Sequence, residues 1–174
     1  MRDILTTLKQ EHDELRRLFK QINATSDDDT DTREDLLHKI EAALIPHAKW
    51  EEKVFYPAFA DRADHEQLLL HAEAMQEHRA VELTVLPDIH AADVDSRQFA
   101  GSVKVFGEMI EHHAKEEETA MFDAIRQSFS AAELAQLDDD YEQWKDSSAA
   151  DAISMHAKVK TAAASMLRSP SSPG

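Results

Sequence analysis

The sequence predicts an all-α protein, an up-down-up-down four-helix bundle with an appended C-terminal helical hairpin. The chain has only three glycines and five prolines among its 174 residues, so few positions interrupt a helix. Aromatic residues make up only 6% of it, while alanine, leucine, glutamate and glutamine, which favour helices, are abundant. Apolar residues recur at helical spacing in four long segments with short polar connections, which is typical of an antiparallel bundle.

The four bundle helices are expected within residues 1–128, and the chain is most simply one domain with an extension. The first helix spans residues 3–23, and the second spans about 32–61 after a short polar stretch. Pro46 lies inside the second segment and predicts a kink there, because an internal proline removes a backbone hydrogen bond.

A capping box, formed by Asp64 and Gln67, predicts the start of the third helix, which is expected to end near Pro87. Asp95 and Gln98 predict the start of the fourth helix in the same way. The inward face of the third helix is expected to carry Leu68, His71, Met75, His78 and Val85.

The C-terminal extension is predicted to be a helical hairpin. Ser130 and Glu133 form a further capping box at the start of a helix that runs to about Lys145, and a last amphipathic segment covers roughly residues 149–167. The ending SPSSPG favours disorder. The expected division is a bundle at 1–128, an extension packed on it at 129–167, and a disordered tail at 168–174.

Charge and composition exclude several classes of function. The formal net charge is −16, and the chain lacks the basic patches that bind nucleic acid or anionic membranes. It has no run of 18 apolar residues, so no transmembrane helix is expected. The first residues are amphipathic and charged, unlike a signal peptide. With no cysteine, thiolate metal sites and disulfides are excluded. A cytoplasmic location is the default expectation.

An internal repeat of 66 residues carries the functional signal. The stretch HAKWEEKVFYP at 47–57 recurs as HAKEEETAMFD at 113–123, and QEH at 10–12 recurs as QEH at 76–78. The two halves of the chain therefore keep the same histidines and glutamates at the same spacing.

These repeated residues lie on helix faces that should be apolar. Residues four apart share one face of a helix, so His47 with Glu51, and His113 with Glu117, point inward together. An isolated buried carboxylate typically costs several kcal/mol unless it is paired or binds a metal. Counted along the helices at about 1.5 Å per residue, six groups reach one layer of the bundle. The candidate metal ligands are His12, His47, Glu51, His78, His113 and Glu117.

Six such ligands exceed the four that a zinc ion usually takes. They suit two transition-metal ions, with two histidines on each ion and both carboxylates bridging. Imidazole and carboxylate without thiolate fit iron or manganese among several metals. The His-x-x-x-Glu spacing also differs from the Glu-x-x-His of ferritin-like sites.

The pattern of His12, His47 with Glu51, His78, and His113 with Glu117 resembles the hemerythrin-like, or histidine–histidine–glutamate (HHE) cation-binding, domain family over about residues 3–125. The resemblance implies a four-helix bundle around a non-haem di-iron centre, two Fe ions bridged by an oxo or hydroxo group. Family members bind oxygen, sense oxygen or iron, or process nitric oxide or peroxide. The expected pairs are His12 with His47 and His78 with His113.

One departure separates the chain from the oxygen-carrying hemerythrins, which have a fifth histidine one turn away on the third helix. The positions one turn from His78 are Ala74 and Glu82. The chain is therefore closer to the four-histidine members, and Glu82 is expected to be solvated or salt-bridged rather than a ligand.

Residues near the candidate ligands receive less specific interpretations. Glu52 and Glu118 are either acceptors for ligand imidazoles or plain surface charge. His112 is expected at the periphery, and His71 is expected in the core or at the surface, or else beside an access route. The aromatic residues of the repeat are expected to be packing residues: Trp50, Phe55 and Tyr56.

The leading hypothesis is a soluble di-iron protein that binds a small ligand, namely oxygen, nitric oxide or peroxide. An enzyme that decomposes peroxide or reduces nitric oxide at the same centre is one alternative. Another is an iron- or oxygen-responsive regulatory module, in which metal loading orders the bundle and exposes or hides a partner surface; the appended hairpin is its only support in the sequence. A structural bundle without metal leaves the two inward glutamates unexplained. No catalytic residue and no protein partner is assigned from the sequence.

Overall fold

The computed structural model describes residues 2–146 and contains five helices in that range, which confirms the predicted all-α class. We label them α1 to α5 in chain order. The helix α1 is Ile4–Ile22. Three segments, Thr30–Trp50, Glu51–Phe55 and Tyr56–Ala60, run on as α2. Likewise α3 joins His65–Ala80, Val81–Val85 and Leu86–Ala91, and α4 joins Arg97–Glu116, Glu117–Met121 and Phe122–Ser128. The helix α5 covers residues 131–146.

Side-chain caps fix where α3 and α4 begin. The capping box predicted for α3 is present, because Asp64 accepts the backbone N–H of Gln67 while the Gln67 side chain accepts the N–H of Asp64. The cap predicted for α4 was displaced by one residue. Ser96, not Asp95, accepts the backbone N–H of Phe99, so α4 begins at Arg97.

The prediction that α3 ends near Pro87 was wrong, because the helix continues to Ala91. The segment just before the proline is one wide π turn, in which Leu86 donates its N–H to the Val81 carbonyl five residues back. The hydrogen-bond register has therefore already shifted before Pro87. The helix tolerates the missing N–H of the proline at this point. Pro46 lies inside α2, which also continues.

The bundle core consists of two apolar clusters with a polar layer between them. One cluster lies at the end where α1 begins and α2 ends, and it includes Leu8, Trp50, Phe55, Phe122 and Tyr141. The other lies toward the opposite end and includes Leu15, Leu44, Val81, Phe106 and Ile110. On α1, the polar layer therefore falls between Leu8 and Leu15. Leu68, predicted to face inward, is 41% exposed, and Leu70 and Ala74 face the core instead.

The helix α5 is attached to α1 and α2 by both polar and aromatic contacts. Asp138 is buried and accepts the hydroxyl of Thr7. The ring of Tyr141 packs against Trp50, with centroids 4.7 Å apart. Trp144 donates its indole N–H to the carbonyl of Pro46 at 3.2 Å. The second half of the predicted hairpin and the predicted tail lie outside the described residues, and the domain boundaries stay a prediction.

Among residues 2–146, no helix is both long enough and apolar enough to cross a bilayer.

Candidate metal centre

The structure brings all six candidate ligands together in the polar layer between the two apolar clusters. Four helices supply them, with one histidine each from α1 and α3, and a histidine and a glutamate each from α2 and α4. None of the six is more than 8% exposed. Their concentration in a layer that water hardly reaches makes them candidates for a site rather than solvated surface groups.

The four imidazoles form two close pairs. The Nε2 atoms of His12 and His47 lie 3.2 Å apart, and those of His78 and His113 also lie 3.2 Å apart. Each pair joins helices from the same half of the repeat. These are the pairs expected from the sequence.

The two carboxylates lie between the imidazole pairs. Glu51 places Oε1 at 3.0 Å from His47 Nε2 and Oε2 at 3.6 Å from His78 Nε2. For Glu117 it is one atom, Oε2, that lies 3.4 Å from His12 Nε2 and 3.7 Å from His113 Nε2. Each carboxylate therefore reaches toward both pairs.

These groups define two possible ion positions with a shared ligand. Within the described residues, one set of ligand atoms lying within 4.8 Å of one another is supplied by His12, His47, Glu51 and Glu117. A second such set is supplied by Glu51, His78 and His113. We call these the first and second positions. Glu51 belongs to both.

Two carboxylate oxygens in this layer accept no hydrogen bond from any residue the structure describes. They are Glu51 Oε1 and Glu117 Oε2, and both are fully buried. Buried polar atoms in folded proteins are almost always satisfied, so an orphaned pair of carboxylate oxygens requires an explanation. A cation between the imidazoles would satisfy both oxygens, and the chemistry of the donor set fits iron.

An outer ring of four carboxylates orients the imidazoles. Each of the four Nδ1 atoms lies 2.7–3.2 Å from a different glutamate, in the pairs His12–Glu118, His47–Glu11, His78–Glu52 and His113–Glu77. If each Nδ1–H donates to its carboxylate, each Nε2 turns a lone pair toward the centre, which is the usual arrangement of metal-binding histidines. The sequence left Glu52 and Glu118 open between this role and surface charge, and the structure places both against imidazoles.

Glu11 and Glu77 were missed from the sequence, although a signal was present. Both belong to the repeated QEH, at the position just before a candidate ligand. Each one reaches the histidine of the neighbouring helix rather than its own neighbour in sequence. All five kinds of site residue therefore repeat at 66 residues, and the site has an approximate two-fold symmetry.

A wide π turn begins at each of the two inward glutamates. Glu51 and Glu117 are the first residues of Glu51–Phe55 and Glu117–Met121. The N–H of Glu51 still reaches the carbonyl of His47, so the inward spacing of that histidine and glutamate is preserved. Single π turns inside α-helices occur frequently at functional sites.

Tyr56 is a site residue that the sequence analysis assigned to packing. Its hydroxyl donates to Glu117 Oε1 at 2.6 Å and lies 3.4–3.5 Å from the Nε2 atoms of His78 and His113. The position 66 residues later is Phe122, whose ring stacks on His12. Tyr56 therefore breaks the two-fold symmetry, and the difference between Tyr and Phe at the aligned positions of the repeat was the available signal.

The π turn explains how Tyr56 reaches the centre. Five residues along an α-helix turn about 500°, which would leave Tyr56 roughly 140° away from Glu51. Here the N–H of Tyr56 donates to the Glu51 carbonyl five residues back, so five residues make only a little more than one full turn. The two side chains return to the same face.

The other polar residues near the centre take peripheral places. Glu82 is 41% exposed and forms a salt bridge with Lys49 at 2.9 Å. It is placed as a salt-bridged residue and not as a metal ligand. His112 is exposed. His71 meets the ring of Tyr56 edge-on, with centroids 5.9 Å apart.

Comparison with known proteins agrees with this geometry. The family model described as the hemerythrin HHE cation binding domain matches residues 3–125. The chain belongs to the hemerythrin HHE family. A search of curated proteins finds no match to the chain.

Among solved structures, the chain is similar to a crystal structure of a hemerythrin HHE cation binding domain-containing protein from Mycobacterium kansasii. The two share 23% sequence identity with a TM-score of 0.78, over 94% of this chain and 97% of that chain. At this identity the similarity shows the shared fold alone.

The electrostatics of this HHE domain couple the imidazoles to the carboxylates. Burial lowers the pKa of His113, but the charges of Glu117 and Glu77 outweigh burial and raise it to about 9. The pKa of His47 is likewise raised well above its ordinary value, because the charge of nearby Glu51 outweighs the effect of burial. Without a metal ion, protons on the imidazoles therefore balance the buried carboxylates.

We expect the metal-free protein to lose stability as the pH rises. Because the folded-state pKa of His113 is about 9 and the unfolded value is 6.5, its contribution is complete below pH 6.5 and disappears as the pH passes 9. The shift corresponds to a loss on the order of 3 kcal/mol in the free energy of unfolding. Urea unfolding of chelator-stripped protein between pH 6 and 10 measures it.

His113→Gln should reduce this pH dependence, whereas His112→Gln at the exposed neighbouring position should preserve it. A metal-free protein that becomes more stable between pH 6.5 and 9 would contradict the prediction.

Proposed function

We propose that the protein is a non-haem di-iron protein that binds a small ligand, namely oxygen, nitric oxide or peroxide. The observation that carries the proposal is the pair of buried carboxylate oxygens without hydrogen bonds, Glu51 Oε1 and Glu117 Oε2, among four imidazoles. Buried carboxylate oxygens without a hydrogen-bond donor are costly in free energy, and metal ions among the imidazoles would satisfy both.

Two ions fit the donor set better than one. His12 and His47 would hold the first ion, and His78 and His113 the second. Glu51 supplies one oxygen to each side, and Glu117 places one oxygen between the pairs. A single tetrahedral ion would use only four of the six groups and leave the other two without a metal ion.

Two ferrous ions, when bound, can supply electrons to a small oxidising ligand. The surrounding protein groups would fix the ligand orientations, hold the two positions together and limit the access of water. The outer carboxylates fix the imidazole orientations, and the two inward carboxylates hold the two positions together. The surrounding apolar clusters limit the access of water and so favour a small, uncharged or weakly charged ligand.

A small cavity lies next to the second position, and we propose it as the place where such a ligand binds. It has a volume of about 10 Å³ and adjoins His113 and Glu117, with Leu70, Ala74 and Met121 on its apolar side. This is about the space that one water-sized molecule needs. Ala74 is one of the two positions, with Glu82, at which the resemblance would allow a fifth histidine, and its methyl group leaves the space open.

We expect protein purified with iron to contain about two irons per chain. Each ion would lose one of its two imidazole ligands in these variants, so His47→Ala and His113→Ala should each lower the iron content substantially. Elemental analysis of the purified variants measures the change.

The matched control is His112→Ala, which alters the exposed neighbour of His113 and should retain both irons. Full iron content in a variant lacking all four candidate histidines would refute the di-iron proposal.

Filling the small cavity should block ligands without removing iron. Ala74→Leu adds three carbon atoms where the space holds little more than one water. We expect unchanged iron content and a loss of azide affinity of about tenfold or more. Optical titration of the ferric protein with azide measures this affinity.

Ala72→Leu, at an exposed position of the same helix, is the control and should bind azide normally. Azide binding that Ala74→Leu leaves intact would show that ligands enter elsewhere.

A second candidate function is an enzyme that decomposes peroxide or reduces nitric oxide at the same centre. The Tyr56 hydroxyl favours it, because these reactions need a proton source beside the ligand. Burial, together with the nearby charge of Glu117, raises the pKa of Tyr56 well above its ordinary value. The hydroxyl therefore keeps its proton, and it donates to Glu117 at 2.6 Å.

If this second function holds, Tyr56→Phe should retain iron and lose peroxide turnover. Positioned proton donors contribute typically about 10²- to 10⁴-fold, so turnover per bound iron pair should fall within that range. Oxygen release from hydrogen peroxide, normalised to iron content, measures it. Full turnover in Tyr56→Phe would exclude the hydroxyl as the proton source, and a stable, reversible oxygen adduct of the wild type would favour the binding function.

A further inference from the structure

The two halves of the site differ in what holds their outer carboxylates. Glu11 and Glu77 are equivalent in the repeat, and they hydrogen-bond His47 and His113 respectively. Glu11 also accepts the hydroxyl of Tyr141 at 2.5 Å and the ammonium of Lys145 at 3.1 Å, and both donors come from α5. Among the described residues, Glu77 contacts His113 and, at 3.6 Å, the exposed His112.

We propose that α5 is a working part of the metal site, in which Tyr141 acts as a positioning residue that strengthens metal binding at the first position alone. The inference rests on the proposed function, since it assumes that His12 and His47 hold an ion. It assigns to the C-terminal extension an effect on one of the two ions, transmitted through Glu11 and His47.

The hydrogen bonds show how the effect would be transmitted. Oε2 of Glu11 accepts from both Tyr141 and the His47 Nδ1–H, while Oε1 accepts from Lys145. Both oxygens are therefore fixed. A glutamate that is 24% exposed would otherwise turn into solvent and release the imidazole from its inward orientation.

Tyr141 is itself held rigidly. It is 1% exposed, and its ring packs on Trp50, which lies on α2 between His47 and Glu51. Trp144, one turn of α5 beyond Tyr141, donates to the carbonyl of Pro46, the residue before His47. The helix α5 therefore contacts the chain on both sides of His47, and the Tyr141 hydroxyl lies where a fixed donor is needed.

The test separates the hydroxyl from the ring. Tyr141→Phe keeps the packing on Trp50 and removes only the donor to Glu11. The probe is Co²⁺ added to the metal-free chain, followed by visible absorption and calorimetry. We expect two binding steps in the wild type. Glu11→Gln should weaken the step at the first position, and Glu77→Gln the other step, each by about 10- to 100-fold.

Tyr141→Phe should weaken the same step as Glu11→Gln, by about 3- to 10-fold, and alter the cobalt spectrum of that step. The other step should stay within about twofold of the wild type. Lys145→Met, at a partly exposed position, removes the second donor and should act on the same step.

A double-mutant cycle makes the assignment specific. Tyr141→Phe should add little loss in the Glu11→Gln background, because the carboxylate through which it acts is gone. In the Glu77→Gln background it should show its full effect. Thermal unfolding of the metal-free variants reports general destabilisation separately.

Unchanged binding steps in Tyr141→Phe and Lys145→Met would overturn the inference, and so would an equal weakening of both steps. Either result leaves the proposed function intact if the wild type binds two Co²⁺ ions. If the wild type fails to bind two ions, it is the proposed function that fails.

Discussion

Buried charge balance is the constraint on which the rest of this structure depends. Two carboxylates and four imidazoles share a layer with little access to water, where an unbalanced charge would cost several kcal/mol. Four further glutamates fix each Nδ1, so the inner nitrogens converge instead of turning to solvent. The helices must then keep this layer closed, and the apolar clusters on both sides of it do so. The packing of the fold and the electrostatics of the site therefore depend on each other.

The duplicated sequence gives this charged layer an approximate two-fold symmetry, and a few residues break that symmetry. Tyr56 and Phe122 are equivalent in the repeat, but only Tyr56 offers a hydroxyl to Glu117. The helix α5 contacts Glu11 and not its equivalent, Glu77. The two candidate ion positions therefore differ in their surroundings, with the Tyr56 hydroxyl beside one position and donors from α5 behind the other.

Much of this arrangement was predictable from the sequence. Helical periodicity and the 66-residue repeat were enough to predict the bundle and to select six inward groups, because residues four apart share a face whatever the tertiary structure. Glu11 and Glu77 were missed because their partners lie on neighbouring helices. The spacing of residues within one helix does not reveal how that helix is rotated relative to its neighbours. Tyr56 was missed because a π turn, invisible to an α-helical count, returns it to the face of Glu51. The same kind of turn lets α3 continue past Pro87.

The pairing of imidazoles with outer carboxylates has a consequence for the origin of the centre. His12 uses Glu118 from the second half, and His78 uses Glu52 from the first half. A single helical hairpin holding Glu11, His12, His47, Glu51 and Glu52 thus contains every kind of inner and outer group in the layer. Two identical hairpins related by a dyad would be sufficient to assemble it. In one polypeptide the two copies need not be identical, and the tyrosine on one side is a difference that two identical chains could not have.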